Sequence, residues 1–164
     1  MLIEMKISAL AFDPTMNMPL VILKSDDGKQ ILPIWIGMLE AGAIAAQLEK
    51  IDVARPMTHD LLKTMVESLG GTVDRVVISD LTDNTYFARV FIKRADEEIE
   101  FDARPSDSMA LALRTNAKIF ADEGVVERSR KVDLPQAQPG VDEQEKWREI
   151  LENMDPEDFG KYKM

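Results

Sequence analysis

Residues 72–114 decide the fold: Thr72-Val-Asp-Arg-Val-Val-Ile-Ser-Asp-Leu81, then Thr85-Tyr-Phe-Ala-Arg-Val-Phe-Ile-Lys-Arg94, then Glu98-Ile-Glu-Phe-Asp-Ala103, then Arg104-Pro-Ser-Asp-Ser-Met-Ala-Leu-Ala-Leu-Arg114. The first two runs are rich in Val, Ile, Tyr and Phe, and Thr82-Asp-Asn-Thr joins them, so they predict a long hairpin to which Glu98–Ala103 adds a strand. In Met109–Leu113 the alternation stops and almost every residue is apolar, which predicts a buried helix capped by Ser106. Strands followed by a helix that must be buried against them make an α+β domain with a largely antiparallel sheet.

Upstream, residues 2–10 alternate, with Ile3, Met5, Ile7 and Ala9 on one face and Glu4, Lys6 and Ser8 on the other. This is a half-buried strand. A Pro-Thr-Met-Asn turn leads to a second strand at 20–24, and Ser25-Asp-Asp-Gly28 supplies the turn into a third at 30–36. Pro33 donates nothing to a ladder, which puts this third strand at an edge or ends it there. From Glu40 onward Ala, Gly and regularly spaced Ile44, Leu48 and Ile51 predict a first helix. Thr58 then precedes Leu61, Leu62, Met65, Val66 and Leu69, a helical stripe with Thr58 as cap, Asp60 in the first turn and Gly70-Gly71 as the stop. The expected sheet has about six strands packed with three helices, and Lys118–Ala121 offers one more short strand.

The compact domain is expected over 1–134, with a linker at 135–141 where Pro135-Gln-Ala-Gln-Pro-Gly140 breaks the pattern. Residues 142–164 read as an acidic tail in which Trp147, Ile150, Leu151 and Met154 give 142–154 one apolar helical face, to dock on its own or a neighbouring subunit.

With 164 residues, 45% hydrophobic and 30% charged, the chain has enough apolar surface for one core. It contains no cysteine, which excludes disulfides, thiolate nucleophiles and cysteine-ligated metal centres. An N-terminus that carries an acid within an alternating pattern is not a signal peptide, and no apolar run reaches the roughly 18–20 residues that cross a bilayer, so a cytoplasmic protein is expected. The net charge of −10 repels polyanions at long range, so any nucleic-acid contact must rest on a local site. No Walker loop, dinucleotide fingerprint, nucleophile elbow or HExxH motif occurs, and no organic cofactor is expected.

Chemistry concentrates in Glu100-Phe-Asp-Ala-Arg-Pro-Ser-Asp107. Alternation puts Ile99, Phe101 and Ala103 on the inner face and Glu100, Asp102 and Arg104 on the other, with Pro105 holding Arg104 extended. Asp102 and Arg104 are therefore expected to be neighbours, beside the N-terminus of the buried helix that carries Ser106 and Asp107. Two carboxylates, Asp102 and Asp107, suit Mg²⁺ or Mn²⁺, while Arg104 and the helix end suit a phosphate. An ion pair and a helix cap fixing a buried corner would use the same residues. His59, the only histidine, stands in Arg55-Pro-Met-Thr-His-Asp60 and is suited to proton transfer, metal ligation or a phosphate contact. Glu40 opens a helix, where an acid is ordinary. Arg75, Arg89, Lys93 and Arg94 on the long hairpin, and Arg128-Ser-Arg-Lys131, lack interleaved aromatics and read as solvated faces.

Three motifs in order, Leu32-Pro-Ile-Trp-Ile-Gly37 with Glu40-Ala, Arg55-Pro-Met-Thr-His-Asp60, and Phe101-Asp-Ala-Arg-Pro-Ser-Asp-Ser-Met-Ala-Leu-Ala-Leu-Arg114, resemble the bifunctional nuclease family over roughly residues 1–134. The resemblance implies an α+β fold, a homo-oligomer and nuclease activity on DNA and RNA. Carried onto this chain, the motif positions are Asp102, Arg104, Asp107 and His59 as catalytic candidates, Arg55, Arg104 and Ser106 as substrate contacts, and Asp102 with Asp107 as metal ligands. The competing expectations are a non-catalytic oligomeric interaction module and a regulatory module that binds a small anion.

Overall fold

The computed structural model describes residues 1–129, and the expected linker and tail lie outside them. Seven strands and four helices follow in the order β1 (Leu2–Asp13), β2 (Met18–Ser25), β3 (Ile31–Trp35), α1 (Met38–Leu48), α2 (Thr58–Ser68), β4 (Thr72–Thr82), β5 (Thr85–Arg94), β6 (Glu97–Ala103), α3 (Pro105–Thr115), β7 (Lys118–Asp122) and α4 (Glu123–Ser129). The α+β class stands. The count rises to seven strands because Lys118–Asp122 forms the strand that joins the two halves of the sheet.

The strand order is β3-β2-β1-β7-β4-β5-β6. Every pair is antiparallel except β4 with β7. β7 can pair in parallel with β4 because β5, β6 and α3 intervene and return the chain to the same end of the sheet. β3 is an edge strand, where Pro33, opposite Ile22, leaves no inner ladder short of a donor. In the β4–β5 hairpin Asp83 and Asn84 both have positive φ, at 50° and 59°, the backbone a two-residue turn needs to match strand twist.

α3 lies against β4, β5 and β7, with α1 and α2 packed on it. Met109, Ala110, Leu111 and Ala112 of α3 are all buried, as their lack of a polar face predicts. Its cap differs from expectation: Arg104 is the N-cap, Pro105 opens the helix and Ser106 is buried in the first turn. Pro105 is well placed there, because a first-turn N–H has no helical partner to lose. α4 is the helix that periodicity missed, since seven residues are too few to show a period. Val125, Val126 and Ser129 bury it against β3, β4 and β7.

α2 sits on the core in an unexpected orientation. Its cap is Met57, whose N–H donates to the Asp60 carboxylate at 2.8 Å, and Thr58 is the first helical residue. The only buried residue in the helix is His59, which is 9% exposed. Of the expected apolar stripe, Leu61, Leu62, Met65 and Leu69 are 55%, 40%, 52% and 72% exposed, while Val66 packs against the core. Polar side chains and Val66 therefore hold this helix to the domain while most of its apolar stripe faces outward.

No helix among the described residues is long and apolar enough to cross a membrane. The hairpin cations are neutralised in place: Arg75 pairs with Asp74 and Glu98, Arg89 with Glu100, Lys93 with Asp74 and Arg94 with Glu97. They form no free basic stripe.

Candidate functional site

The first turns of α1, α2 and α3 meet at one place, because α1 and α2 both pack against α3. Glu40 comes from α1, His59 and Asp60 from α2, and Asp107 from α3, with Arg104 at the α3 cap. Their side chains form a continuous chain. His59 Nε2 lies 3.0 Å from Asp107 Oδ1, Arg104 Nε donates to Asp107 Oδ2 at 2.7 Å, and Arg104 Nη1 donates to Glu40 Oε1 at 2.9 Å. Four residues that lie between 3 and 64 positions from their partners thus share one polar line.

The protonation pattern follows from Asp107. Burial pushes its carboxyl up, but the Arg104 and His59 bonds together outweigh burial and hold it below the usual carboxylate range. Asp107 is therefore a carboxylate near neutral pH and can only accept. The contact with His59 then requires a proton on Nε2, and neutral His59 keeps its lone pair on Nδ1. Tyr86 Oη is the only buried side-chain nitrogen or oxygen without a partner among the described residues. Nδ1, which has no protein partner there, consequently meets solvent. A carboxylate fixing an imidazole tautomer while the other nitrogen stays open is the arrangement of a general base.

A second polar link sits one residue along. Arg114, with its side chain only 4% exposed, donates from Nε to Asp60 Oδ1 at 2.7 Å, from Nη1 to Ala110 O at 2.9 Å and from Nη2 to Ala43 O at 3.1 Å. One guanidinium thus touches α1, α2 and α3 and sets the spacing at which His59 meets Asp107.

Gly37, the α1 cap, leaves room for this geometry. A Cβ there would collide with the Glu40 carboxylate, which folds back over the glycine. Its φ of −73° suits any residue, so the cost is local. Gly37→Ala should push Glu40 off Arg104 yet lower stability by less than about 1 kcal/mol, the worth of an exposed ion pair. Thermal melting checks the second part, and a drop of several degrees would show that Glu40 does more than pair with Arg104.

Of the residues expected from the sequence, the fold joins His59, Arg104 and Asp107. Asp102 stands apart from them: its backbone pairs with Arg89 in β6–β5 register, and its side chain bonds no other described residue. Arg104 keeps the extended backbone expected of a residue before proline, with φ −72° and ψ 146°, but its side chain bonds Asp107 and Glu40 rather than Asp102. Phe101, expected on the inner face, is 48% exposed because β6 is the other edge strand. Ser106 is 6% exposed, which leaves its hydroxyl little access to a substrate. Arg55 is exposed in the loop before α2 and pairs with no described residue, so its guanidinium is free for a ligand.

Glu40, Asp60 and Arg114 complete the cluster and were not singled out by spacing. Arg114 carried a signal nonetheless, since an arginine in an otherwise apolar helix demands a buried partner. Among the described residues no group of three or more His, Asp or Glu side chains is arranged to hold a metal ion. Of the expected Asp102 and Asp107 pair, Asp107 accepts from His59 and Arg104, one bond on each oxygen, so an ion there would compete with both.

The model of the bifunctional nuclease domain matches residues 21–133, well over half of the chain. The chain belongs to that family. A second comparison gives an uncharacterized protein of Mycobacterium tuberculosis, 35% identical over 163 residues, which cover 95% of this chain and 97% of that protein. Bifunctional nuclease 1 of Arabidopsis thaliana is 30% identical over 128 residues, 71% of this chain but 39% of the plant protein. Bifunctional nuclease 2 of Oryza sativa subsp. japonica is 30% identical over 105 residues, covering 62% of this chain and 32% of that protein. The bifunctional nuclease domain here runs from β2 to beyond α4 and includes every member of the His59–Glu40 chain.

Acid should expose the dependence of this domain on its depressed carboxylates. Asp107 is held low as above, and in Asp60 burial is outweighed by the Met57 N–H and Arg114 bonds. Their folded pKa values lie below the unfolded value of about 3.9, so their stabilisation is complete above that value and is lost as pH falls through the folded ones. Urea midpoints measured against pH should therefore fall more steeply below about pH 4 in the wild type than in Asp107→Asn. Parallel slopes would mean that Asp107 gains nothing from its partners.

Proposed function

We propose that the chain is a nuclease that hydrolyses phosphodiester bonds in DNA and RNA at the His59–Asp107–Arg104–Glu40 chain. The observation that carries this reading is the 3.0 Å contact between His59 Nε2 and Asp107 Oδ1, which leaves Nδ1 as an open base beside an arginine with donors to spare. The names of the plant relatives supply the substrate class. Arg104 uses Nε and Nη1 within the protein, and its side chain is 66% exposed, so its remaining N–H groups face an incoming phosphate.

In this reading His59 Nδ1 takes a proton from a water molecule as its oxygen attacks phosphorus. The bond from phosphorus to one ester oxygen breaks, and the leaving oxygen takes its proton from solvent. Arg104 donates to the non-bridging oxygens, where charge accumulates in the transition state. Asp107 keeps the imidazole in its tautomer, Glu40 positions Arg104, and Arg55 holds a neighbouring phosphate. Local placement of these groups lets a chain of net charge −10 meet a polyanion, at the cost of marked salt sensitivity. The test is cleavage of short DNA and RNA oligonucleotides, in which Arg55→Ala should raise KM and leave kcat unchanged. An unchanged KM would remove Arg55 from the substrate path.

A second reading rests on α2, whose exposed Leu61, Leu62, Met65 and Leu69 form an apolar stripe. Such a stripe favours an oligomer in which a second copy covers it. Sedimentation should then show a complex that Met65→Glu dissociates, and a wild-type monomer at all concentrations would count against it.

A further inference from the structure

Arg104 lies between two carboxylates delivered by two different helices, Glu40 of α1 and Asp107 of α3. A divalent ion bridging those helices would compete with the guanidinium for the same two carboxylates. We infer that the guanidinium of Arg104 takes the place of a divalent cation, and that phosphodiester cleavage at this site proceeds without one. This rests on the nuclease reading above and deepens it.

The donor set carries the argument. Mg²⁺ and Mn²⁺ demand near-octahedral oxygen coordination and are held through carboxylates free to face the ion. Here Asp107 Oδ1 serves His59 and Oδ2 serves Arg104, and Glu40 Oε1 serves Arg104. Asp60 Oδ1 serves Arg114 and Oδ2 accepts from the Met57 N–H. Asp102, the one carboxylate of the sequence motif with no side-chain partner among the described residues, stands alone in β6.

Charge balance agrees. Glu40 and Asp107 bring two negative charges and Arg104 one positive, while the converging first turns of α1, α2 and α3 each add roughly half a positive charge. The locus is thus close to neutral or slightly positive before substrate arrives. A bound divalent ion would have to break two ion pairs of Arg104 to reach the same carboxylates.

Two measurements on the full chain test this, one of them independent of activity. Paramagnetic resonance of added Mn²⁺ should show no loss of the free-ion signal that depends on Asp107. Arg104→Ala should create such a loss, because two carboxylates are then freed, and adding Asp107→Asn to it should abolish the loss again. Cleavage of single-stranded oligonucleotides should run at the same rate in EDTA as in Mg²⁺. Mn²⁺ bound by the wild type and released by Asp107→Asn, with cleavage lost in EDTA, would overturn the inference. Mn²⁺ taken up equally by both would lie elsewhere and support it, and failure of Arg104→Ala to gain Mn²⁺ would remove the claim that the guanidinium holds a cation's place. Absence of cleavage under every condition would strike the nuclease reading instead, and the Mn²⁺ titration would still decide this one.

Discussion

Arg114→Met should lower the free energy of unfolding by about 2–3 kcal/mol. Methionine keeps the length of the buried stem, so packing is largely retained and the loss is electrostatic. Removing one partner of a buried pair costs about 3–5 kcal/mol, and the Asp60 carboxylate, a third exposed, recovers part of that in water. The bonds to Ala43 O and Ala110 O go as well, and with them the tie between α1 and α3. Urea denaturation at constant slope gives the value, with a midpoint lower by roughly 1–2 M. A change below about 0.5 kcal/mol, the range of an ordinary surface substitution, would show that the three helices hold together without this clamp.

His59→Gln should lower kcat on DNA and RNA oligonucleotides by about 10²–10⁴-fold with KM nearly unchanged. Glutamine can still donate to Asp107, so the local packing and the Asp107–Arg104 pair survive, but it offers no basic nitrogen at the position of Nδ1. The range is that of one positioned proton-transfer group. Circular dichroism and the melting temperature check that the variant is folded. An unchanged kcat in a folded variant would reduce His59 to a tether for α2, a role its burial would suffice to explain. The two substitutions thus separate two duties of one helix end: Arg114 and Asp60 set where α2 sits, and His59 and Asp107 do chemistry there.

The sheet was largely legible because its strands state their own pattern. Alternation in residues 2–10, the β-rich runs on either side of Asp83-Asn84, and the proline in β3 each fix a strand or its place by local chemistry. α3 was legible because five consecutive apolar residues leave no side for water. What escaped was non-local. Nothing in Lys118–Asp122 says that it joins the two halves of the sheet in parallel with β4, since that follows from where β5, β6 and α3 carry the chain. The outward apolar face of α2 was hidden because periodicity reports that a stripe exists and not which way it points. For α2 two polar contacts, His59 with Asp107 and Asp60 with Arg114, settle the orientation.

The site divided in the same manner. His59, Arg104 and Asp107 belong to short motifs and were found by residue type. Glu40 looked like any helix-opening acid, and only the packing of α1 on α3 brings it to Arg104 across 64 positions. Asp102 was drawn in by strand alternation, which reports a shared face and not a partner: Arg104 is extended as expected, and its side chain pairs with Asp107 and Glu40.

The central claim is that His59, Asp107, Arg104 and Glu40 form a nuclease site, and cleavage of single- and double-stranded DNA and RNA by the purified wild type and a folded Asp107→Asn variant tests it most directly. The account predicts products from the wild type, co-eluting with the protein through its final column, and their loss in the variant. Equal cleavage by both proteins, or none by either, would contradict it.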